Sequence, residues 1–414
     1  MEQLSIQNFG GIKSMTFEFK SINILIGPQG SGKSITAKLF YFFKSTFTDI
    51  STNILFENNI EEFKKLQTQK FIQYFPKDTW PKDSFKITYT LNDIIIIVEN
   101  NDGGFLISYS NKIDIIYAKY YNAFKEQFDN DIIPRTIKWR QQIAAQVNRD
   151  IKRELSCNYL FNQYFIPAGR SFFSNLQHSM FSFIKSNSSI DPFLVEFGAV
   201  YEGIKETFRM DPSPGTPDSR FIEICTSILN GEYSRADDKD YLVHKDNRRV
   251  NLLNASSGQQ ETLPLLIFIN ALYHWPIEST TLYIEEPEAH LPPMAQKAIV
   301  QLLARTYNNF DNEFQIIITT HSPYILASFN NLLEAGRLTK DKPGQAASIA
   351  AIVPTDEQLD PALVAAYSLQ NGEMESLIDP DSQLIKQTIL DDVSNEIANE
   401  FGKLLDIEFN DEKL

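Results

Sequence analysis

One stretch, Gly27-Pro28-Gln29-Gly30-Ser31-Gly32-Lys33-Ser34, constrains this 414-residue chain more than any other feature. The apolar run Ile22, Ile24, Leu25, Ile26 predicts a buried strand that ends at Gly27, and Ile35 to Phe43 predicts the helix that follows Ser34. A strand, glycine loop and helix in that order aim successive backbone N–H groups, and the positive end of the helix, at a phosphate. Lys33 adds a full charge against the β- and γ-phosphates, and Ser34 offers a hydroxyl to Mg²⁺. The expected core is therefore an α/β fold built around a nucleotide-binding loop.

Three distant segments extend that expectation. In TLYIEEPEAHL (281–291) an apolar run stops at Glu285 and Glu286, which places two carboxylates at the C-terminal end of a buried strand. Beside a phosphate loop, Glu285 is the expected Mg²⁺ ligand and Glu286 the base that polarises water. A third run, FQIIITTHSPYIL (314–326), ends at His321, whose neutral imidazole can both donate and accept and so sense a γ-phosphate. Asn254 to Glu261 brings small residues and Gly258 to the start of a helix-like run, Thr262 to Tyr273. That segment reads either as an anion site or as a polar loop with a helix cap.

Taken in order, these elements resemble the ABC-type ATPase superfamily, in its soluble branch with the RecF, structural-maintenance-of-chromosomes and OLD-like ATPases. The likeness covers residues 1 to about 44 and about 250 to 330, plus a piece near YFIPAGRSFF. More narrowly, IGPQGSGKS, IPAGR, SSGQQE and EEPEAHL are similar to the compact AAA ATPases of bacterial anti-phage and overcoming-lysogenization systems. The resemblance implies ATP and Mg²⁺ as cofactors and a switch role for His321. It also implies a signature loop at Ser256, Ser257, Gly258 and Gln259 that completes the site of a second subunit. Partners implied are a homodimer or higher homo-oligomer, joined through its heads, and a separate effector chain, a nuclease or toxin, since no nuclease acid cluster follows residue 330.

Three positions depart from the family pattern. Glu285 stands where Asp is commoner, and Ala255 and Ser257 replace Leu and Gly in the signature. No glutamine occupies the usual place after the strand expected at Tyr164 to Pro167, which leaves Gln163 and Arg170. Arg170 is the preferred nucleotide contact because a guanidinium near the γ-phosphate would supply transition-state charge; it also fits a domain-pairing arginine.

The expected architecture is an ABC-type head, a mixed β-sheet with a P-loop α/β core, carrying an inserted β-meander and helical lid and no long coiled coil. Its parts are 1–44 with the glycine loop, an inserted arm at 45–160, a helical lid at 161–250, and 251–414 with the remaining motifs. Strands are expected at Phe85 to Thr90, Ile94 to Val98 and Phe105 to Tyr109, then helices from Tyr117 to about Leu160, broken at Pro134. Cys157 and Cys225 show no metal spacing, no apolar run is long enough to span a membrane, and the N-terminus enters a strand pattern directly. Those features point to the cytoplasm.

A net charge of −15 argues against a general nucleic-acid coat. It leaves open a local stripe, Arg135, Lys138, Trp139, Arg140, Arg149, Lys152 and Arg153, which fits either a nucleic-acid surface or a solvated helix face. Near the end, Ile385, Ile389, Val393, Ile397, Phe401 and Leu404 predict an amphipathic helix, packed on its own domain or docking a partner. An ATP-locked scaffold with little turnover shares all of these motifs. A transporter-type ATPase subunit shares them too, without needing an insertion of this size.

Overall fold

The structure is a computed structural model, and its described residues are 1–130, 137–157, 160–175, 190–210, 218–236, 239–275, 277–310, 313–386 and 398–404. The chain opens with an antiparallel hairpin, β1 (Glu2–Phe9) and β2 (Ile12–Phe19), and then enters β3 (Ile22–Ile26) and the helix α1 (Lys33–Leu55). Next come α2 (Ile60–Tyr74), the meander β4 (Phe85–Leu91), β5 (Ile94–Asn101) and β6 (Gly104–Tyr109), and helices α3 (Asn111–Asn130) and α4 (Ile137–Leu155). Strand β7 (Asn162–Ile166) is followed by α5 (Ser171–Asn175), α6 (Pro192–Met210) and α7 (Ser219–Leu229). A small sheet of β8 (Glu232–Ala236), β9 (Lys239–Val243) and β10 (Arg249–Asn251) leads to α8 (Ser257–His274). The last third is β11 (Thr280–Glu285), α9 (Pro293–Asn308), β12 (Phe314–Thr320), α10 (Pro323–Asp341), β13 (Val364–Gln370) and β14 (Glu373–Ser376).

The hairpin and the meander share one antiparallel sheet, ordered β2-β1-β4-β5-β6. Strand β4 pairs directly with β1, so residues far along the chain complete the sheet that the first twenty residues begin. The second large sheet is ordered β14-β13-β3-β12-β11-β7; all but the edge strand β14 run parallel. It is buried on both faces, which is why its strands read as continuous apolar runs rather than alternating ones. Ile22, Ile24, Leu282, Ile284, Ile316 and Ile318 face one core with α8, α9 and α10, whereas Leu25, Tyr283 and Ile317 face the other with α1 and the first sheet. Each such fully buried side chain stabilises the fold by roughly 1.5–3 kcal/mol.

Helix α1 lies between the two sheets, and its aromatic residues knit them together. Phe40 stacks on Phe19 at 3.7 Å and Phe43 on Tyr89 at 5.4 Å between ring centres. Within this layer Lys44 is fully buried, donating to Gln315 Oε1 at 2.6 Å and lying 3.5 Å from Glu2, so its charge is matched rather than stranded. Pro134, the expected helix break, lies outside the described residues, as do Ile389, Val393 and Ile397 of the expected C-terminal helix.

Candidate functional site

Parallel pairing brings the expected motifs to one edge. Ile26 lies opposite Thr320, Thr319 opposite Glu285, and Ile284 opposite Ile166. The glycine loop, His321, Glu286 and the Pro167–Arg170 turn therefore all leave the sheet at its C-terminal end, where α/β sheets bind ligands.

Gly27 ends β3 in a tight place: a Cβ there would sit 2.1 Å from the carbonyl oxygen of Leu369 on β13, so only glycine fits. Lys33 folds back over the loop, its Nζ donating to the carbonyls of Gly27 at 2.8 Å and Pro28 at 2.7 Å and to Ser31 Oγ at 3.3 Å. Burial lowers its pKa, while the nearby carboxylates of Glu286 and Glu288 work in the opposite direction. Ser34 is exposed on the first turn of α1, next to Lys33.

Glu286 adopts a left-handed backbone, φ 46°, rare for a side chain of its size. Its N–H donates to Thr319 O at 2.8 Å, which anchors the residue to β12. Its Oε1 lies 3.3 Å from Nε2 of His321, so the expected base and the expected switch residue are in contact.

Glu288 is a participant that sequence reasoning passed over. It is buried, and its Oε1 accepts from Thr320 Oγ1 and from the His321 N–H, both at 2.7 Å. The carboxylate thereby fixes the end of β12. Its signal in the sequence was a third acid two residues beyond the Glu285–Glu286 pair.

The residues also fit a Mg²⁺ ion. Glu285 is buried, with Oε2 accepting from the Ala168 N–H at 3.2 Å and Oε1 lacking a hydrogen-bond partner; Thr319 Oγ1, on the paired strand residue, likewise has none. Orphaned hard oxygens beside a phosphate loop are what Mg²⁺ takes. Among the described residues no group of three or more His, Cys, Asp or Glu could hold a metal. Ser34, Glu285 and the bound phosphates would therefore have to share the ion.

Two expectations change. Arg170 is fully buried and spends its guanidinium inside the protein: Nε donates to Glu261 O at 3.0 Å, Nη1 to Pro167 O at 3.0 Å and Glu285 O at 2.7 Å, and Nη2 to Glu286 O at 3.0 Å. Four of its five N–H groups are bonded to carbonyls, and the carboxylate of Glu261 lies 3.4 Å from Nη2, so it pairs segments within the chain. Gln163 accepts from the Tyr283 hydroxyl at 2.7 Å and donates to Leu160 O, so it too is committed elsewhere.

The signature segment is a capped helix start. Ser256 is the N-cap of α8 in a reciprocal capping box with Gln259, whose amide also donates to Leu229 O at 2.7 Å. Gln259 is thus held within its own chain, while Ser256 and Ser257 are exposed. Gly258 packs against the EAHL loop; a Cβ there would lie 2.7 Å from His290 O.

Where the basic stripe is described, Lys152 alone has a close carboxylate partner, and Arg149 and Arg153 are exposed. Lys152 pairs with Glu313, Arg149 donates to Gln146 at 2.8 Å, and Arg153 lies 3.8 Å from Asp150. Arg135 and the side chains of Lys138, Trp139 and Arg140 lie outside the described residues. Among the described residues no helix is long and apolar enough to cross a membrane.

Residues 22–327 match the family described as "AAA domain, putative AbiEii toxin, Type IV TA system". A curated relative, the Retron Vc95 probable ATPase of Vibrio cholerae serotype O1 biovar El Tor, is 30% identical over 103 residues, which span 23% of this chain and 19% of that protein. The SMC head domain from Thermotoga maritima aligns with 90% of this chain and 97% of its own at 13% identity and a TM-score of 0.38. The Smc head domain with an extended coiled coil from Pyrococcus furiosus aligns over 97% and 100%, at 13% and 0.36.

Proposed function

The chain belongs to this AAA domain family, and from that premise we propose that it binds and hydrolyses ATP in a pocket shared between two copies, as the switch of a defence system with a separate effector chain. The observation that carries the reading is the contact of Glu286 with His321 at the ends of β11 and β12, on one side of the strand that leads into the glycine loop and Lys33. In this reading the glycine loop and Lys33 hold the β- and γ-phosphates. Lys33 is already desolvated, so its charge acts on the phosphates with little screening from water. Ser34 and Glu285 would hold Mg²⁺, which would supply charge neutralisation on the same phosphates. Glu286 takes the proton of the attacking water, and His321, 3.3 Å away, holds that water against the γ-phosphate.

Ser256 and Ser257 are exposed at the capped start of α8, which supports their acting on the nucleotide of a second copy. The retron relative is named a probable ATPase, which supports the activity. The effector, nuclease or toxin, is then a distinct chain that responds to opening and closing of the dimer.

The test is a pair of variants. Lys33→Ala is expected to abolish ATP binding, measured by calorimetry, and wild-type affinity there would overturn the assignment. Glu286→Gln is expected to keep ATP binding, slow turnover on the order of 10²-fold or more and accumulate an ATP-bound dimer in light scattering. Unchanged turnover would remove Glu286 from its role.

A further inference from the structure

The region around Arg170 is built more heavily than a surface turn requires. Its guanidinium meets three segments of the chain: the turn after β7 through Pro167 O, the end of β11 through Glu285 O and Glu286 O, and α8 through Glu261 O. Glu261, itself buried, answers with its carboxylate: Oε1 accepts from the Arg170 N–H at 2.9 Å and Oε2 from the Ser171 N–H at 2.8 Å, while Oε1 lies 3.4 Å from Arg170 Nη2. All five guanidinium N–H groups have an acceptor or the paired carboxylate beside them. Burial lowers the pKa of Arg170, while Glu261, Glu288, Glu285 and Glu286 all oppose that shift.

Two consequences follow from where those bonds land. Glu286 holds a left-handed backbone, and such a conformation persists only where its surroundings fix it. Its N–H is fixed by Thr319 O and its carbonyl by Arg170. Glu261 lies five residues after Ser256, in the opening turns of the helix that the signature segment caps. A displacement of that helix start therefore pulls directly on the peptide that carries Glu286.

We propose that Arg170 and Glu261 are a positioning pair that makes hydrolysis at each site depend on what that chain's own serine-glycine turn is touching. When Ser256 and Ser257 engage the nucleotide of a second copy, α8 is held, Arg170 is held with it, and Glu286 keeps the backbone that aims its carboxylate at His321. When the turn is unengaged, α8 and the aim of Glu286 are held only by contacts within the chain, and the hold on the Glu286 peptide is weaker. The two sites of a dimer are thereby coupled through each chain. This inference rests on the shared-pocket reading above.

The test compares the wild type with Glu261→Gln and Arg170→Lys, each confirmed as folded by thermal melting. Both variants are expected to lower kcat on the order of 10- to 100-fold, with the KM for ATP and the ATP-dependent dimerisation midpoint within about threefold of wild type. Hydrogen exchange, measured without nucleotide, is expected to speed up at the amides of residues 286–291 in both. A folded Glu261→Gln chain with wild-type kcat overturns the proposal, as does a loss of kcat matched by an equal loss of ATP binding. Should the wild type prove inactive or monomeric, the shared-pocket reading fails by itself. The exchange measurement then decides the bracket alone, and unchanged exchange at 286–291 overturns it.

Discussion

Glu288 shows how much a single buried carboxylate can organise. One oxygen receives the Thr320 hydroxyl and the His321 N–H; the other is buried without a hydrogen-bond partner. Removing the side chain leaves two buried donors unmatched and frees the peptide that carries the imidazole. Glu288→Ala is accordingly expected to lower ATP turnover about tenfold or more, with KM for ATP within about threefold, while Glu288→Gln, which can still accept both bonds, recovers most of the loss. Steady-state kinetics of the two variants check this, and equal damage in both would show that the charge matters instead of the geometry. At this scale the sequence was legible where chemistry follows chain order: the glycine loop, the Glu285–Glu286 pair and His321 each sit just past an apolar run. It was not legible for Arg170 and Glu261, because their partners are main-chain groups and acids far away in the sequence, and a carbonyl leaves no trace in residue type.

Among the elements, the segment of helices α7 to α9 is tied by one knot. Asp218 caps α7, accepting from the N–H groups of Arg220 and Phe221, and also accepts from Tyr273 of α8 at 2.6 Å and Arg305 Nε of α9 at 2.7 Å. Burial works against its charge, but the bonds from Arg305, Tyr273 and the Phe221 N–H outweigh it and hold its pKa down at about 2. A carboxyl depressed on folding binds fewer protons than in the unfolded chain, so its contribution is complete above a pH of about 4 and is lost as pH falls through about 2. That contribution is about 1 kcal/mol once solvent screening is allowed for. In thermal melts, wild type should exceed Asp218→Asn by a margin that is constant near neutral pH and shrinks below about pH 4; a margin independent of pH would assign the cap no charge. Element reading from sequence succeeded for the meander and for the helical character of the region that holds α6 and α7. It missed β13, Val364–Gln370, since alanine and serine carry little strand preference and only burial beside β3 makes that segment a strand. The small sheet of β8 to β10 was missed for the opposite reason, being polar and half exposed.

For the whole molecule, the parallel sheet gathers the glycine loop, Glu286 and His321 at its C-terminal edge, while the capped start of α8 presents two exposed serines on a turn whose Gly258 and Gln259 meet His290 and Leu229, outside the glycine loop. If each pocket takes its glycine loop from one copy and its serines from the other, defects in the two halves must complement each other. Lys33→Ala destroys the first half of a site and Ser256→Arg obstructs the second; the latter replaces an exposed N-cap and costs only about 1 kcal/mol of stability. Each variant alone is expected to be inactive. In an equal mixture about half of the dimers pair unlike chains, and each such dimer holds one pocket built from the intact glycine loop of the Ser256→Arg chain and the intact serines of the Lys33→Ala chain. Its other pocket carries both defects. Independent sites would raise turnover in the mixture to as much as about one quarter of the wild-type rate per chain, because half of the dimers have one of two sites restored; coupling through Arg170 and Glu261 lowers that ceiling, since the Ser256→Arg chain that supplies the intact glycine loop has no engaged turn of its own. A pocket completed within a single chain would gain nothing from mixing, so an ATPase assay of the two variants, alone and together, decides between a shared site and a private one.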